Sequence, residues 1–172
     1  MMGVGKSTIG QKIAEKLNWY FIDSDQEIED HQHLTIPEIF QQKGEGYFRE
    51  IEHKIIKQIV ERDESLVLSL GGGSYIDERT RLLLRNKALV IYLHASVDEI
   101  FYRTAGKNNR PLLNIVNEKN KISKRQLIEN LIKIRHPIYQ QCDLDFDTSN
   151  GNQEILVNQI IKQIKSKINV EN

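Results

Sequence analysis

Gly3-Val4-Gly5-Lys6-Ser7-Thr8 stands at the front of the chain and decides its architecture. It is the back half of the pattern G-x-x-x-x-G-K-[ST]. In that pattern glycines let backbone N–H groups curl around a phosphate, and the lysine reaches the β- and γ-phosphates. The hydroxyl holds Mg²⁺, and the helix that follows favours negative charge at its N-terminus. A chance match would carry no such helix. Here Ile9, Ile13 and Leu17 recur every four residues, one face of a helix beginning near Ser7.

Outward from this motif, strand and helix signals alternate. Trp19-Tyr20-Phe21-Ile22 has the apolar, aromatic character of a buried parallel strand. Phe48, Ile51, Ile55, Ile56 and Ile59 mark a long amphipathic helix, and Leu66 to Leu70 is a strand ending in Gly71-Gly72-Gly73. A helix is expected over Asp77–Asn86 and a strand over Ala88–Leu93. Ser96 caps a helix through Phe101, Ser123 starts one ending near Pro137, Cys142–Asp147 is a weaker strand, and Ile155–Ile168 is a closing helix. Such alternation predicts an α/β domain with a parallel sheet, whose ligands sit beyond the carboxyl ends of the strands.

The motif also has a missing front. With Gly5-Lys6 fixed, its first glycine falls one residue before Met1, and the strand that delivers the chain into the loop falls before that. The expectation is a sheet short of one strand, with unpaired backbone groups costing roughly 1–3 kcal/mol each if buried. Such a chain would fold poorly, or the natural product would start upstream, Met1 or Met2 being an internal methionine.

The 172 residues fit one ordinary domain that needs no disulfide or metal to fold. Twenty-four basic and 24 acidic residues give zero net charge, which argues against nucleic acid as the partner. The lone Cys142, read as a small buried apolar residue, fits a reducing compartment. No apolar run is long enough to span a membrane, and there is no signal-peptide pattern. The expected product is cytoplasmic and monomeric, with neither nucleic acid nor membrane as partner.

Other constellations point to chemistry. In Asp23-Ser24-Asp25 one carboxylate can hold a metal's water shell while the other orients an attacking hydroxyl; alternatively Asp25 caps the helix of Gln26–Asp30. Arg49 and Glu52 share a helical face, as a carboxylate clamp with its orienting acid or as a surface pair of little consequence. Gly71, Gly72 and Gly73 permit close backbone approach to a ligand. Arg110, in the polar stretch Gly106–Lys121, can close over phosphoryl oxygens, with Arg103 seven residues earlier. Arg135 and Tyr139 can face one pocket. His31 and His33 are badly spaced for a metal, and Lys162, Lys165 and Lys167 read as a solvated face.

Together, GVGKST, DSD followed by Ile28-Glu29, Gly44–Glu52 (GEGYFREIE), LSLGGG, RPLL and RHPIY resemble the shikimate kinases in order and spacing, from Gly3 to about Asn150. The resemblance implies a three-layer α/β/α fold of the P-loop type with parallel sheet order 2-3-1-4-5, the first strand being absent here. It implies a single kinase domain over residues 1–172, with a lid insert at about 105–122. The implied reaction is transfer of the ATP γ-phosphate to the 3-hydroxyl of shikimate, on the route to chorismate and the aromatic amino acids. Gly3, Val4, Gly5, Lys6, Ser7 and Thr8 would hold the nucleotide, Ser7 would ligate Mg²⁺, and Asp23 would hold the ion through water. Asp25 would prepare the hydroxyl, and Arg49 and Arg135 would bind the carboxylate. The triplet Gly71, Gly72 and Gly73 would meet the substrate by backbone, Arg110 would stabilise the migrating group, and Arg103, with the Thr148–Asn150 region, would flank the adenine. Two alternatives stay open at this point: another small-molecule kinase of gluconate kinase type, and a non-catalytic nucleotide-binding module.

Overall fold

A computed structural model of the chain describes residues 2–105, 123–149 and 152–168. In chain order these form α1 (Lys6–Leu17), β1 (Tyr20–Asp23), α2 (Ser24–Gln32), α3 (Ile36–Val60) and β2 (Leu66–Ser69). A 3-10 turn (Ser74–Ile76), α4 (Glu78–Lys87), β3 (Ile91–His94), α5 (Val97–Thr104), α6 (Lys124–Tyr139), β4 (Leu144–Asp147) and α7 (Gln153–Ile168) follow. The expected α/β fold is present. All strand pairing is parallel: β1 runs beside β2 in the register Tyr20↔Leu66 to Asp23↔Ser69, and β3 beside β4 in the register Ile91↔Leu144 to His94↔Asp147. Among the described residues the two pairs are separate two-stranded sheets.

Local chemistry sets the boundaries. Thr35 and Ser123 each close a reciprocal capping box, with Glu38 and Gln126, and Ser96 accepts from the Glu99 N–H. Trp19 falls outside the predicted strand, because its N–H donates to Ala14 O at 2.9 Å and closes α1. The third strand starts later than predicted, since Asp143 Oδ2 accepts from the Val90 N–H at 2.7 Å and takes the place of a strand partner. Helix α6 ends near Pro137, as expected, but runs two residues past it. It continues to Tyr139, whose buried ring packs on Tyr92 at 5.1 Å, so packing outweighs the bond that proline forfeits. Cys142 lies just before β4 and is half-buried; burial, with Asp145 nearby, pushes its thiol pKa up.

Two apolar clusters support the strands. Val4, Ile9, Ile13, Ile56, Ile128 and Ile160 belong to the larger; Ile22, Ile28, Ile39, Phe48, Ile55 and Ile59 form the smaller, between β1, α2 and α3. Each fully buried Ile contributes roughly 1.5–3 kcal/mol of transfer free energy. Helix α1 packs on β1, β2 and α7, which fixes the phosphate motif at the carboxyl ends of the first strand pair. Among the described residues no helix is long and apolar enough to cross a membrane.

Candidate active site

The loop before α1 takes the shape its glycines allow. Gly3 and Gly5 have φ of 73° and 88°, in the left-handed region that other residues avoid. Gly5 is the N-cap of α1 and offers no side-chain cap, and the positive end of the helix dipole favours an anion there. Val4 is fully buried and pins the loop into the core.

Strand register then builds an oxygen-rich corner. Asp23 and Ser69 end β1 and β2 and are partners in the ladder. Ser7 Oγ donates to Asp23 Oδ2 at 2.6 Å and lies 3.3 Å from Ser69 Oγ. One carboxylate and two hydroxyls are hard oxygen donors of the kind Mg²⁺ takes, alongside phosphate oxygens and water. They fit the expected Ser7 and Asp23 pair and add Ser69, which sequence reasoning missed. Its only signal is its place as the last strand residue before the glycines. Among the described residues, no group of three or more His, Cys, Asp or Glu side chains is gathered as a metal site.

Asp25 does not cap α2. That role falls to Asp23, whose Oδ1 accepts from the Asp25 N–H at 3.0 Å. The cap is the residue that leaves the strand, and Asp25 therefore sits inside the first turn. Its carboxyl is pushed up from 3.8 to about 6, first by burial, then by the Asp23 and Glu52 carboxylates, with Lys6 pulling the other way. It is a carboxylate poised to accept a proton near neutral pH.

The glycine triplet is packed from all sides. Ser24 Oγ accepts from the Gly71 N–H at 2.9 Å, and Ser74 Oγ donates to Gly71 O at 3.1 Å. Gly72 O accepts from Tyr139 Oη at 2.6 Å and from Arg135 at 3.1 Å, so Arg135 and Tyr139 do face one place. A methyl group at Gly71 would be driven into Asp25 Oδ1, and one at Gly73 would lie 3.1 Å from the Arg49 guanidinium nitrogens. The absent Cβ atoms thus make room for this protein's own catalytic-type side chains as well as for a ligand. Gly71→Ala is expected to destabilise the fold by roughly 1–3 kcal/mol, the cost of overpacking, read as a lower denaturant midpoint. Gly72→Ala, with only Met2 N nearby at 3.9 Å, should leave the midpoint nearly unchanged.

Arg49 is no surface pair. Its NH1 donates to Glu52 Oε2 at 2.7 Å and its NH2 to Glu45 Oε1 at 3.1 Å. Glu52 is 2% exposed, and its other oxygen accepts from Ser74 Oγ at 2.7 Å. Burial alone would lower the Arg49 pKa, yet Glu52 and Glu45 hold it above its ordinary value. The buried serines Ser24 and Ser74, which hold Gly71 and Glu52 in place, were also missed; isolated serines carry no pattern.

Arg103 lies apart, on α5. Its guanidinium binds Glu99 at 2.7 Å, Thr148 Oγ1 at 3.1 Å and Thr148 O at 2.6 Å, tying the loop after β4 to the helix. A methyl at Gly3 would meet Thr104 at 2.9 Å, so this helix borders the phosphate loop. Arg110, residues 106–122 of the predicted lid insert, and Asn150 lie outside the described residues.

The comparisons with known proteins agree with this geometry. The family model described as shikimate kinase matches residues 2–165. The shikimate kinase of Haemophilus influenzae is 40% identical over 164 residues, 95% of this chain and 88% of that protein. That of Rhizobium leguminosarum is 38% identical over 162 residues, 94% of this chain and 79% of that protein. Among solved structures, shikimate kinase from Acinetobacter baumannii in complex with shikimate superposes with a TM-score of 0.87 at 36% identity, covering 96% of this chain and 89% of that one. The family model over residues 2–165, with relatives 38–40% identical over nearly the whole chain, makes the chain a member of the shikimate kinase family.

Proposed function

We propose that this chain transfers the γ-phosphoryl group of ATP to the 3-hydroxyl of shikimate, on the route to chorismate and the aromatic amino acids. The observation that carries the reading is the meeting of two unlike groups on one glycine triplet, with Asp25 against Gly71 and Arg49 against Gly73. A substrate with a carboxylate at one end and a hydroxyl to be deprotonated at the other fits between them.

The roles follow from chemistry. Gly3, Val4, Gly5, Ser7 and Thr8 offer loop and helix N–H groups to the phosphates, and Lys6 adds positive charge at the β–γ bridge. Ser7, and Asp23 through water, with Ser69 beside them, would hold Mg²⁺, which would supply neutralisation of phosphate charge. Arg49, oriented by Glu52, forms the carboxylate clamp with Arg135, and the backbone of Gly72 and Gly73 lies against the ring. Asp25 accepts the proton of the 3-hydroxyl as its oxygen bonds to the γ-phosphorus and the bond to the ADP oxygen breaks. Arg110, on sequence pattern alone, stabilises the migrating group, and Arg103 with Thr148 flanks the adenine. The family order 2-3-1-4-5 in a three-layer α/β/α domain fits the two strand pairs as the two flanks of one sheet. The single half-buried Cys142 suits the reducing cytoplasm, and a monomer is the expected state.

A coupled ADP-release assay across shikimate, gluconate and related polyol acids tests the reading. Turnover dependent on shikimate is expected. Turnover with gluconate instead would favour the other kinase type, and ATP binding without turnover on any acid would favour a non-catalytic module.

A further inference from the structure

Three neighbours hold the Arg49 guanidinium, with very different firmness. Its central carbon lies 5.1 Å from the centroid of the Phe48 ring, and Phe48 is buried. Glu52 takes NH1 at 2.7 Å, is itself buried, and is fixed by Ser74. Glu45 takes NH2 at 3.1 Å, with a side chain 60% exposed. The two firm neighbours suffice to aim the guanidinium at Gly73, where an added methyl would lie 3.1 Å from both NH1 and NH2. Glu45 is not needed for that aim.

Glu45 also stands where α3 is loosest. The helix is interrupted at Gly44, with φ 81° and ψ 169°, so Glu45 opens its second stretch. No side chain or distant backbone lies within 4 Å of the point where a Cβ would sit on Gly44 or Gly46. An exposed i, i+4 pair at such a place breaks at little cost. The charges call for it to break. Two carboxylates on one guanidinium leave the trio negative. Every pair of parallel N–H groups on a guanidinium uses NH1 or NH2, and both already carry a carboxylate. An incoming carboxylate therefore meets a filled fork in a field of its own sign. Glu52 cannot yield, because it would be left buried without its cation. Glu45 can, because water takes over its hydrogen bonds.

We propose that Glu45 is a built-in competitor for the substrate's carboxylate, which occupies the open side of Arg49 in the empty site and swings into solvent when the substrate binds. This rests on the reading of Arg49 as the shikimate clamp. The exchange keeps Arg49 paired before and after binding, so the empty cleft presents no bare guanidinium to chloride, phosphate or the wrong acid. An acid that also reaches Arg135 and the glycine triplet offsets the displacement, and an anion that touches Arg49 alone does not. Glu45 thus lowers affinity for every anion and raises the selectivity of the clamp.

The test is calorimetric binding of shikimate, and of its methyl ester, to the full chain and to Glu45→Gln, at low and at high KCl. The amide keeps the shape of the carboxyl and removes its charge. At low salt Glu45→Gln should bind shikimate about two- to fivefold more tightly, the worth of an exposed ion pair. The gain should shrink at high salt, where charges are screened over a few ångströms. The ester has no carboxylate to exchange and should show no gain. Equal or weaker binding of shikimate by Glu45→Gln would overturn the proposal, because Glu45 would then be a prop for the arginine or a bystander. So would an equal gain for the ester, or a gain that salt leaves untouched. Shikimate bound equally by both forms removes the competitor and leaves the clamp standing; no binding to either form at millimolar shikimate removes the clamp reading as well.

Discussion

Asp25→Asn is expected to lower kcat on shikimate by about 10²–10⁴-fold, the usual worth of a positioned general base, with little change in the dissociation constant of shikimate. The amide keeps the size of the carboxyl and can still bond to a hydroxyl, so the ground-state complex survives. What it cannot do is take the proton as the 3-oxygen attacks. The same substitution should raise stability at neutral pH. In the folded protein the Asp25 pKa is raised from 3.8 to about 6. Between those values the folded state holds a proton that the unfolded chain has released, so stability falls as pH rises through that window. Above it, the ionised carboxylate costs at most about 3 kcal/mol, the linkage value of such a raise. Denaturant melts at pH 7.5 and pH 4 check this: the Asn variant should be the more stable at 7.5, and the advantage should shrink toward pH 4. A variant that is less active and more stable is the mark of a site where charge is held against its preference.

The second large effect is at the clamp. Arg49→Lys should raise the KM for shikimate about 30–150-fold, the equivalent of about 2–3 kcal/mol for a lost charge-assisted pair of bonds. The KM for ATP should stay within a few fold. A lysine keeps a cation beside Glu52 but presents no planar fork to a carboxylate. Arg49→Ala should behave differently. It leaves Glu52, 2% exposed and bonded to Ser74, as a buried charge without its cation, at a cost of about 3–5 kcal/mol. Against a total stability of about 5–15 kcal/mol, that variant should show a large fall in denaturant midpoint. Steady-state kinetics on the lysine variant and melts on the alanine variant separate binding from folding.

How much of this was legible in the sequence depended on whether a residue's role is local. The phosphate loop, the helix caps at Ser96 and Ser123, and the four strands follow from spacing and residue type, and they appear where expected to within a few residues. Asp23 and Asp25 were expected as a functional pair or with Asp25 as helix cap; which of them caps α2 depends on where the strand stops, and the last strand residue took the cap. Pro137 marked the end of α6 to within two residues, and the long-range anchoring of Tyr139 on Gly72 and Tyr92 carries the helix just past it. Ser24, Ser69 and Ser74 were not legible. Each owes its importance to partners 47, 62 and 22 residues away in sequence, and a serine has no periodicity to betray that. The glycine triplet was read as room for a ligand. The structure adds that Gly71 and Gly73 also make room for Asp25 and Arg49, which ties the acid and the clamp to the same short turn.

The most direct test of the account is the pH dependence of kcat/KM for shikimate at saturating ATP, measured on the intact chain and on Asp25→Asn. Activity should fall with decreasing pH through an apparent pKa near 6, and the Asn variant should lose that limb along with most of the rate. A profile that stays flat from pH 7 to pH 5, or an unchanged limb in Asp25→Asn, would contradict the assignment of Asp25 as the group that receives the proton.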